Sequence, residues 1–290
     1  MTKQLSNLPV VVTGADGFLG SHMVKALVNQ GFEVLKVSRS EGYDVCSKES
    51  LQKLPPFGSL IHLAAQTFVP DSYTHPDAFF FTNIVGTLNC LELCKKNKAP
   101  IVFASSYVYG PPQYLPVNES HPVNSWNPYA TSKIIGEQLC TCYSKEFNVP
   151  AGIMRIFNIF GPQQKLSSLI PKIIDGIAKG DLTLESDYPK RDFVYINDVV
   201  DAFISYLNSG KEGLSIYNIG SGKSYSVKEI VDLAQKHLKK NISVQYKNIK
   251  RTNEVLDVVA DYSKIMKELN WRPKFDIDEG LKAIVEKMNF

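Results

Sequence analysis

The sequence predicts an α/β protein: a doubly wound parallel sheet followed, from about residue 163, by a smaller mixed α/β lobe. Two observations carry that expectation. Short apolar, β-branched runs alternate with segments of helical period through the first half, and such alternation builds right-handed strand–helix–strand units on a parallel sheet. After Gly161-Pro162 the texture changes to shorter helices mixed with brief strands, with no flexible linker between the two parts.

Each element follows from its pattern. Residues 8–13 form an apolar run that stops at Gly14, the mark of a buried strand. Over 18–29, Leu19, Met23, Ala26 and Leu27 keep helical spacing and Gly31 closes the helix. Strands are expected at 33–37, 59–64, 101–104 and 151–156, with helices between them, notably 78–95 and 131–147. The later part reads as helices at 169–178, 227–238 and 281–287 and strands at 215–219 and 243–246. Segment 193–208 is expected to pack back on the first domain, 1–162, leaving 163–290 as the smaller lobe.

Bulk properties narrow the function. The chain has 290 residues, 44% hydrophobic and 21% charged, which is ordinary globular composition. A net charge of +3 gives no electrostatic case for nucleic acid, so any anionic ligand must be met by local groups. No apolar run is long enough to span a membrane, and the polar start of the chain lacks a signal-peptide pattern, which points to the cytoplasm. The five cysteines are odd in number and lack zinc-ligand spacing. They are expected to be free, covered thiols, with no metal.

The first strand runs into Gly14-Ala15-Asp16-Gly17-Phe18-Leu19-Gly20, a Gly-x-x-Gly-x-x-Gly turn opening a helix. Glycines there permit the tight turn and let backbone approach a pyrophosphate over the helix N-terminus, as in a dinucleotide-binding Rossmann fold. Chance supplies roughly 0.07 such patterns in a chain of this glycine content. The second strand is followed by Ser38-Arg39, where an NAD-binding unit usually carries an acid for the ribose 2′-hydroxyl. Only five of the 32 basic residues are Arg, so an Arg here is less readily idle than a Lys would be. It favours NADP(H), with NAD(H) the alternative and a solvated surface arginine the plainer reading.

Tyr129 and Lys133 stand four apart and share a helix face. An ammonium there, with a positively charged nicotinamide, lowers a phenol from about 10 toward neutrality, so that it exchanges a proton with a sugar hydroxyl. About 1.3 Tyr-x-x-x-Lys pairs are expected by chance, and a second does occur, Tyr246 with Lys250, in a strand-and-loop context. Asn127-Pro128 sets Tyr129 at a helix start, and Ser105 ends a strand at the mouth of the sheet, where ligands bind. Ser105 is therefore the candidate hydrogen-bond donor to the reacting oxygen.

Together these motifs resemble the extended short-chain dehydrogenase/reductase family, in its nucleotide-sugar-modifying, epimerase/dehydratase branch. The likeness continues through Leu63-Ala64-Ala65, Asn83-Ile84-Val85-Gly86-Thr87, Val108-Tyr109-Gly110, Arg155-Ile156-Phe157-Asn158, Arg191-Asp192-Phe193-Val194-Tyr195, Asn218-Ile219-Gly220-Ser221-Gly222 and Arg251-Thr252-Asn253-Glu254. It implies hydride transfer at a sugar carbon, with Tyr129 as acid/base, Lys133 as its partner and ribose ligand, and Ser105 as donor. It places Asp44 and Val45 beside the adenine and Leu63, Ala64 and Ala65 along the cofactor. Asn158, Arg191 and Arg251 would surround the nucleoside diphosphate of the substrate, with Gln66, Thr67, Ser105 and Ser106 near the sugar. Arg191 could instead pair with Asp192 or Asp198, and Arg155, inside a strand, reads as structural.

The family's dehydratases carry Asp-Glu where this chain has Ser106-Tyr107, so dehydration is disfavoured. Reduction of a 4-keto nucleotide sugar by NADPH is the first expectation, on the strength of Arg39. A 4-epimerase that retains NAD is the second, and a non-catalytic NADP-binding sensor the third. The resemblance also implies a homodimer packed through the helices at 78–95 and 131–147, although their apolar stripes would serve equally in a monomer's core.

Overall fold

The computed structural model describes residues 8–125, 127–249 and 255–287. In chain order, β1 (Val10–Thr13) leads through the glycine turn into α1 (Phe18–Asn29), then β2 (Val34–Val37), α2 (Lys48–Leu51) and β3 (Ser59–His62). Next come α3 (Val69–Thr74), α4 (Pro76–Phe80), a π-helical turn (Phe81–Val85) and α5 (Gly86–Asn97). β4 (Ile101–Ser106), α6 (Pro128–Phe147), β5 (Ala151–Ile156) and β6 (Asn158–Phe160) follow. The remainder comprises α7 (Leu169–Lys179), β7 (Thr183–Leu184), β8 (Lys190–Tyr195), α8 (Ile196–Ser209), β9 (Leu214–Ile219) and β10 (Ser224–Ser226). It ends with α9 (Val227–Leu238), β11 (Gln245–Tyr246), α10 (Ser263–Leu269) and α11 (Ile277–Lys287).

Six strands form the main sheet in the order β2-β1-β3-β4-β5-β9, and every neighbouring pair is parallel. This is the doubly wound Rossmann-type architecture. The chain leaves β1 in one direction to β2 and returns across it to β3, so a crevice opens beyond the carboxyl ends of β1 and β3. Sequence position places the strand expected at 215–219 in the smaller lobe. It instead completes the main sheet beside β5, pairing Ile153 with Ile216 and Ile156 with Ile219. Such pairing is set by tertiary register, which local pattern does not encode.

Helices cover both faces. On one, Met23 and Leu27 of α1 and Val199, Phe203 and Leu207 of α8 pack on Val10, Val12, Val102 and Met154. On the other, Cys90, Leu91 and Cys94 of α5 and Cys140 and Tyr143 of α6 pack on Val11, Leu60, Ile101 and Ile153. A third core joins Ile170, Ile173 and Ile177 of α7 to Ile230 of α9 and Leu281 of α11, beneath the small sheet β10-β8-β6. All five cysteines are free, and Cys142, expected to be covered, is exposed. Among the described residues no helix is long and apolar enough to cross a membrane.

Two local features place the site. α6 begins three residues before its expected start because Asn127 caps it, accepting from the Ala130 amide at 2.7 Å, and Pro128 occupies the first turn. That puts Tyr129 in the first turn of the helix. In the glycine turn, a Cβ on Gly20 would lie 2.0 Å from the Gly14 carbonyl oxygen. Gly20→Ala must therefore push helix from strand; we expect a loss of about 2–4 kcal/mol and of dinucleotide binding, read by thermal denaturation and fluorescence titration.

Candidate active site

A cleft of about 500 Å³ opens at the carboxyl ends of the central strands. Its floor is the glycine turn with Phe18 and Leu19; Leu63, Ala65 and Thr67 border it from the β3 side. Ser105, Ser106, Tyr129, Lys133 and Asn158 line it from the β4–α6–β6 side. A larger groove, about 840 Å³, lies between α1, α7, α8 and α11 and holds none of the candidate residues.

The first turn of α1 faces this cleft without a cap. Gly17 is the N-cap, no side chain bonds the free amides, and no acid occupies the turn. Unsatisfied amides at the positive end of a helix macrodipole suit an anion, so these residues fit a dinucleotide's pyrophosphate. The neighbouring 63–64 segment is held from beneath. Leu63 and Ala64 amides both donate to the Thr13 hydroxyl at 3.1 Å, and that hydroxyl bonds His62 Nδ1 at 2.8 Å. Thr87 donates to the Asn83 carbonyl, so it accepts from His62 Nε2–H at 3.0 Å. Burial, with the Lys133 charge nearby, pushes the imidazole down to about 3, so His62 is a neutral strut.

Lys133 is 4% exposed. Its ammonium donates to the Ala104 carbonyl at 2.9 Å and sits 5.1 Å from the Phe103 ring centroid and 6.0 Å from that of Tyr129. Burial lowers its pKa to about 8, against the opposing pull of Cys140 and Glu137. Tyr129 is half-buried and lines the cleft. Burial pushes its phenol up to about 12 rather than toward neutrality, and the neighbouring Ser106 hydroxyl acts the other way. The protein's own groups thus store the phenol in its neutral form.

The two serines divide their roles differently from the expectation. Ser105, 4% exposed, donates to Glu137 Oε1 at 2.5 Å, and it is Ser106 that meets the Tyr129 hydroxyl. Successive residues of a strand face opposite ways, so a partner that claims one hydroxyl settles where the next one points. Glu137 is itself clamped by Arg155, whose Nη2 donates to Oε2 at 2.7 Å and Nε to Oε1 at 3.0 Å. Arg155 is structural, as its place inside a strand indicated.

Beyond the end of β2, Asp16 accepts from Ser40, whose hydroxyl lies 3.0 Å from that of Ser38. Hydrogen bonds from Ser38 and Ser40 hold the Asp16 carboxyl below its usual range. Arg39, beside them, is exposed. Val45 is buried, its carbonyl accepting from Asn89 Nδ2 at 2.9 Å, and Asp44 Oδ1 accepts from the Cys46 amide. Sequence reasoning quoted Asn83 only as part of a motif. Its side chain ties the Gln66 backbone at 2.8 and 3.1 Å to Ser132 of α6 at 2.8 Å, which fixes the 63–67 segment to that helix.

On the β6–β8 side, Asn158 Nδ2 donates to the Asp192 carbonyl at 3.1 Å. Arg191 does not line the cleft; its Nη1 donates to the carbonyls of Lys190 and Val255. Asp192 accepts from the amides of Ser221, Gly222 and Ala260, and Asp198 from those of Lys274 and Phe275. Arg251, and Lys250 of the second Tyr-x-x-x-Lys pair, lie outside the described residues.

Known proteins resemble this chain over nearly its whole length. The model of the NAD dependent epimerase/dehydratase family matches residues 10–220. The chain is 33% identical to a putative UDP-glucose 4-epimerase of Methanocaldococcus jannaschii, covering 96% of this chain and 98% of that one. It is 30% identical to the GDP-6-deoxy-D-mannose reductase of Pseudomonas aeruginosa, covering 94% and 95%. Among solved structures, it superposes with a TM-score of 0.89 on the UDP-glucose 4-epimerase of Thermotoga maritima with UDP-glucose, at 25% identity and 96% and 98% coverage. The TM-score is also 0.89 on RMD from Pseudomonas aeruginosa complexed with NADPH, at 28% identity and the same coverage.

Proposed function

The chain belongs to the NAD dependent epimerase/dehydratase family, and on that premise we propose that it epimerises C4 of a nucleoside-diphosphate sugar with its dinucleotide retained. What supports hydride chemistry is the convergence of Tyr129, Ser106 and Lys133 on one cleft floored by the glycine turn. Gly14, Gly17, Phe18, Leu19 and Gly20 would hold the pyrophosphate, Leu63, Ala64 and Ala65 the cofactor's flank, and Lys133 the ribose. Bound there, the dinucleotide supplies the hydride acceptor and donor. Tyr129 takes the C4 hydroxyl proton as that carbon is oxidised and returns it when the carbon is reduced from the other face. Ser106, in place of Ser105, hydrogen-bonds the same oxygen, and Thr67 and Asn158 border the sugar and diphosphate.

The direction of the chemistry turns on the adenosine end. A 2′-phosphate beside Arg39 would also meet the charged Asp16, whereas a 2′-hydroxyl can donate to that carboxylate. This supports NAD(H), hence retention and epimerisation. Arg39 itself, with the likeness to the reductase, supports the second reading, NADPH-dependent reduction of a 4-keto sugar. The proposal includes a cytoplasmic homodimer formed through α4–α5 and α6, where Phe81 is 58% exposed.

The test is incubation with UDP-glucose, UDP-galactose and their N-acetylated forms, and separately with NADPH and 4-keto-6-deoxy nucleotide sugars. We expect C4 epimers to interconvert with no net change at the nicotinamide absorbance band, and NAD⁺ to bind at least about tenfold more tightly than NADP⁺. Stoichiometric NADPH oxidation by one keto sugar would instead establish the reductase.

A further inference from the structure

We propose that Glu137 is a positioning residue for the reaction, anchoring the end of β4 through Ser105 and giving the Lys133 ammonium its counter-charge from one helical turn away. The inference rests on the hydride-transfer reading above but is tested partly without it.

The geometry is that of a built, fully packed network. Glu137 is 6% exposed and accepts three hydrogen bonds at 2.5–3.0 Å, from Ser105, Arg155 Nε and Arg155 Nη2. Arg155 Nη1 donates to the Tyr109 hydroxyl at 3.2 Å and the Glu119 carbonyl at 3.3 Å, and Tyr109 in turn donates to Asn218 at 2.5 Å. The ion pair is therefore oriented. Its carboxylate end lies on α6, the helix that carries Tyr129 and Lys133, and its guanidinium end lies on β5.

Stability alone does not account for such a pair, since apolar residues of similar volume often serve as well in a core. Its neighbours indicate what it adds. Lys133 is faced by Tyr129, Glu137 and Cys140 from α6, by His62 from β3, and by the Phe103 ring and Ala104 carbonyl from β4. Burial keeps His62, Cys140 and Tyr129 neutral, so the carboxylate of Glu137 is the anion that supports the ammonium. Meanwhile the Ser105 hydroxyl, spent on Glu137, leaves Ser106 as the residue presented to Tyr129.

Two variants test this. Glu137→Gln with Arg155→Met removes both charges together and keeps an acceptor for Ser105. We expect it to fold, and NADH affinity, followed by fluorescence against pH, to fall off about one pH unit lower than in the parent as Lys133 loses its proton earlier. Ser105→Ala leaves the ion pair and that midpoint in place but lowers kcat about tenfold with KM within twofold, and Ser105→Thr restores kcat. The binding arm needs no sugar substrate, so a failure of the epimerase reading stays separate from a failure here. An unchanged midpoint in the folded double variant overturns the counter-charge role. Parental kcat in Ser105→Ala overturns the anchoring role, whether or not the double variant folds.

Discussion

Lys133→Met should yield a protein that is more stable than the parent at neutral pH and nearly inert. The ammonium is buried with one carbonyl partner, and its pKa falls from 10.5 in the unfolded chain to about 8 in the fold. Between pH 8 and 10.5 the unfolded state binds the extra proton, so stability rises with pH across that window. Below pH 8 the full cost of holding a buried charge is present, on the order of 3 kcal/mol for a shift of this size. Methionine fills similar space without charge but leaves the Ala104 carbonyl without its donor, which returns roughly 1 kcal/mol. The net gain of about 2 kcal/mol corresponds to a rise in Tm of roughly 4 °C at pH 7 for a chain of this length. The advantage should vanish by pH 10.5, and turnover should fall about 10²–10⁴-fold. Melting curves at the two pH values decide the matter: equal Tm at pH 7 would mean that the ammonium carries no burial cost in the fold.

That trade of stability for chemistry bears on what the sequence reveals. The glycine turn is legible because only glycine tolerates contacts as close as those at Gly14 and Gly20, and their spacing is therefore written locally. Tyr129 and Lys133 are legible because four residues is one helical turn. The division of labour between Ser105 and Ser106 is not, because the partner that decides it, Glu137, is 32 residues away and on another element. The same holds for β9, whose place beside β5 is a matter of tertiary pairing, and for the helix expected over 78–95. That helix is interrupted by a π-helical turn at Phe81–Val85, where Asn83 turns inward to hold Gln66. At the cofactor's adenosine end, one arginine in sequence pointed to NADP(H). Asp16, 23 positions earlier in the chain, acquires meaning only when folding brings it to Ser38 and Ser40.

Tyr129→Phe is expected to have a catalytic effect as large as that of Lys133→Met and a smaller structural one. The ring packs edge-on to Phe79 with centroids 6.4 Å apart, and phenylalanine keeps that contact. What disappears is the phenol oxygen beside Ser106, and the change in stability should stay within about 1 kcal/mol. NAD⁺ affinity should stay within about twofold, since none of the anion-binding groups of α1 is touched. Turnover should drop about 10²–10⁴-fold, the span general acid–base catalysis supplies. The pH profile gives the sharper reading. Burial holds the phenol at about 12, so in the protein alone only a minute fraction is ionised at neutral pH. Oxidation of the sugar needs the ionised form, so the parental rate should climb with pH as the phenol, lowered by Lys133 and a cationic nicotinamide, titrates in the ternary complex. The residual rate of Tyr129→Phe should lack that limb. A variant with parental turnover, or with the limb intact, would remove Tyr129 from the reaction.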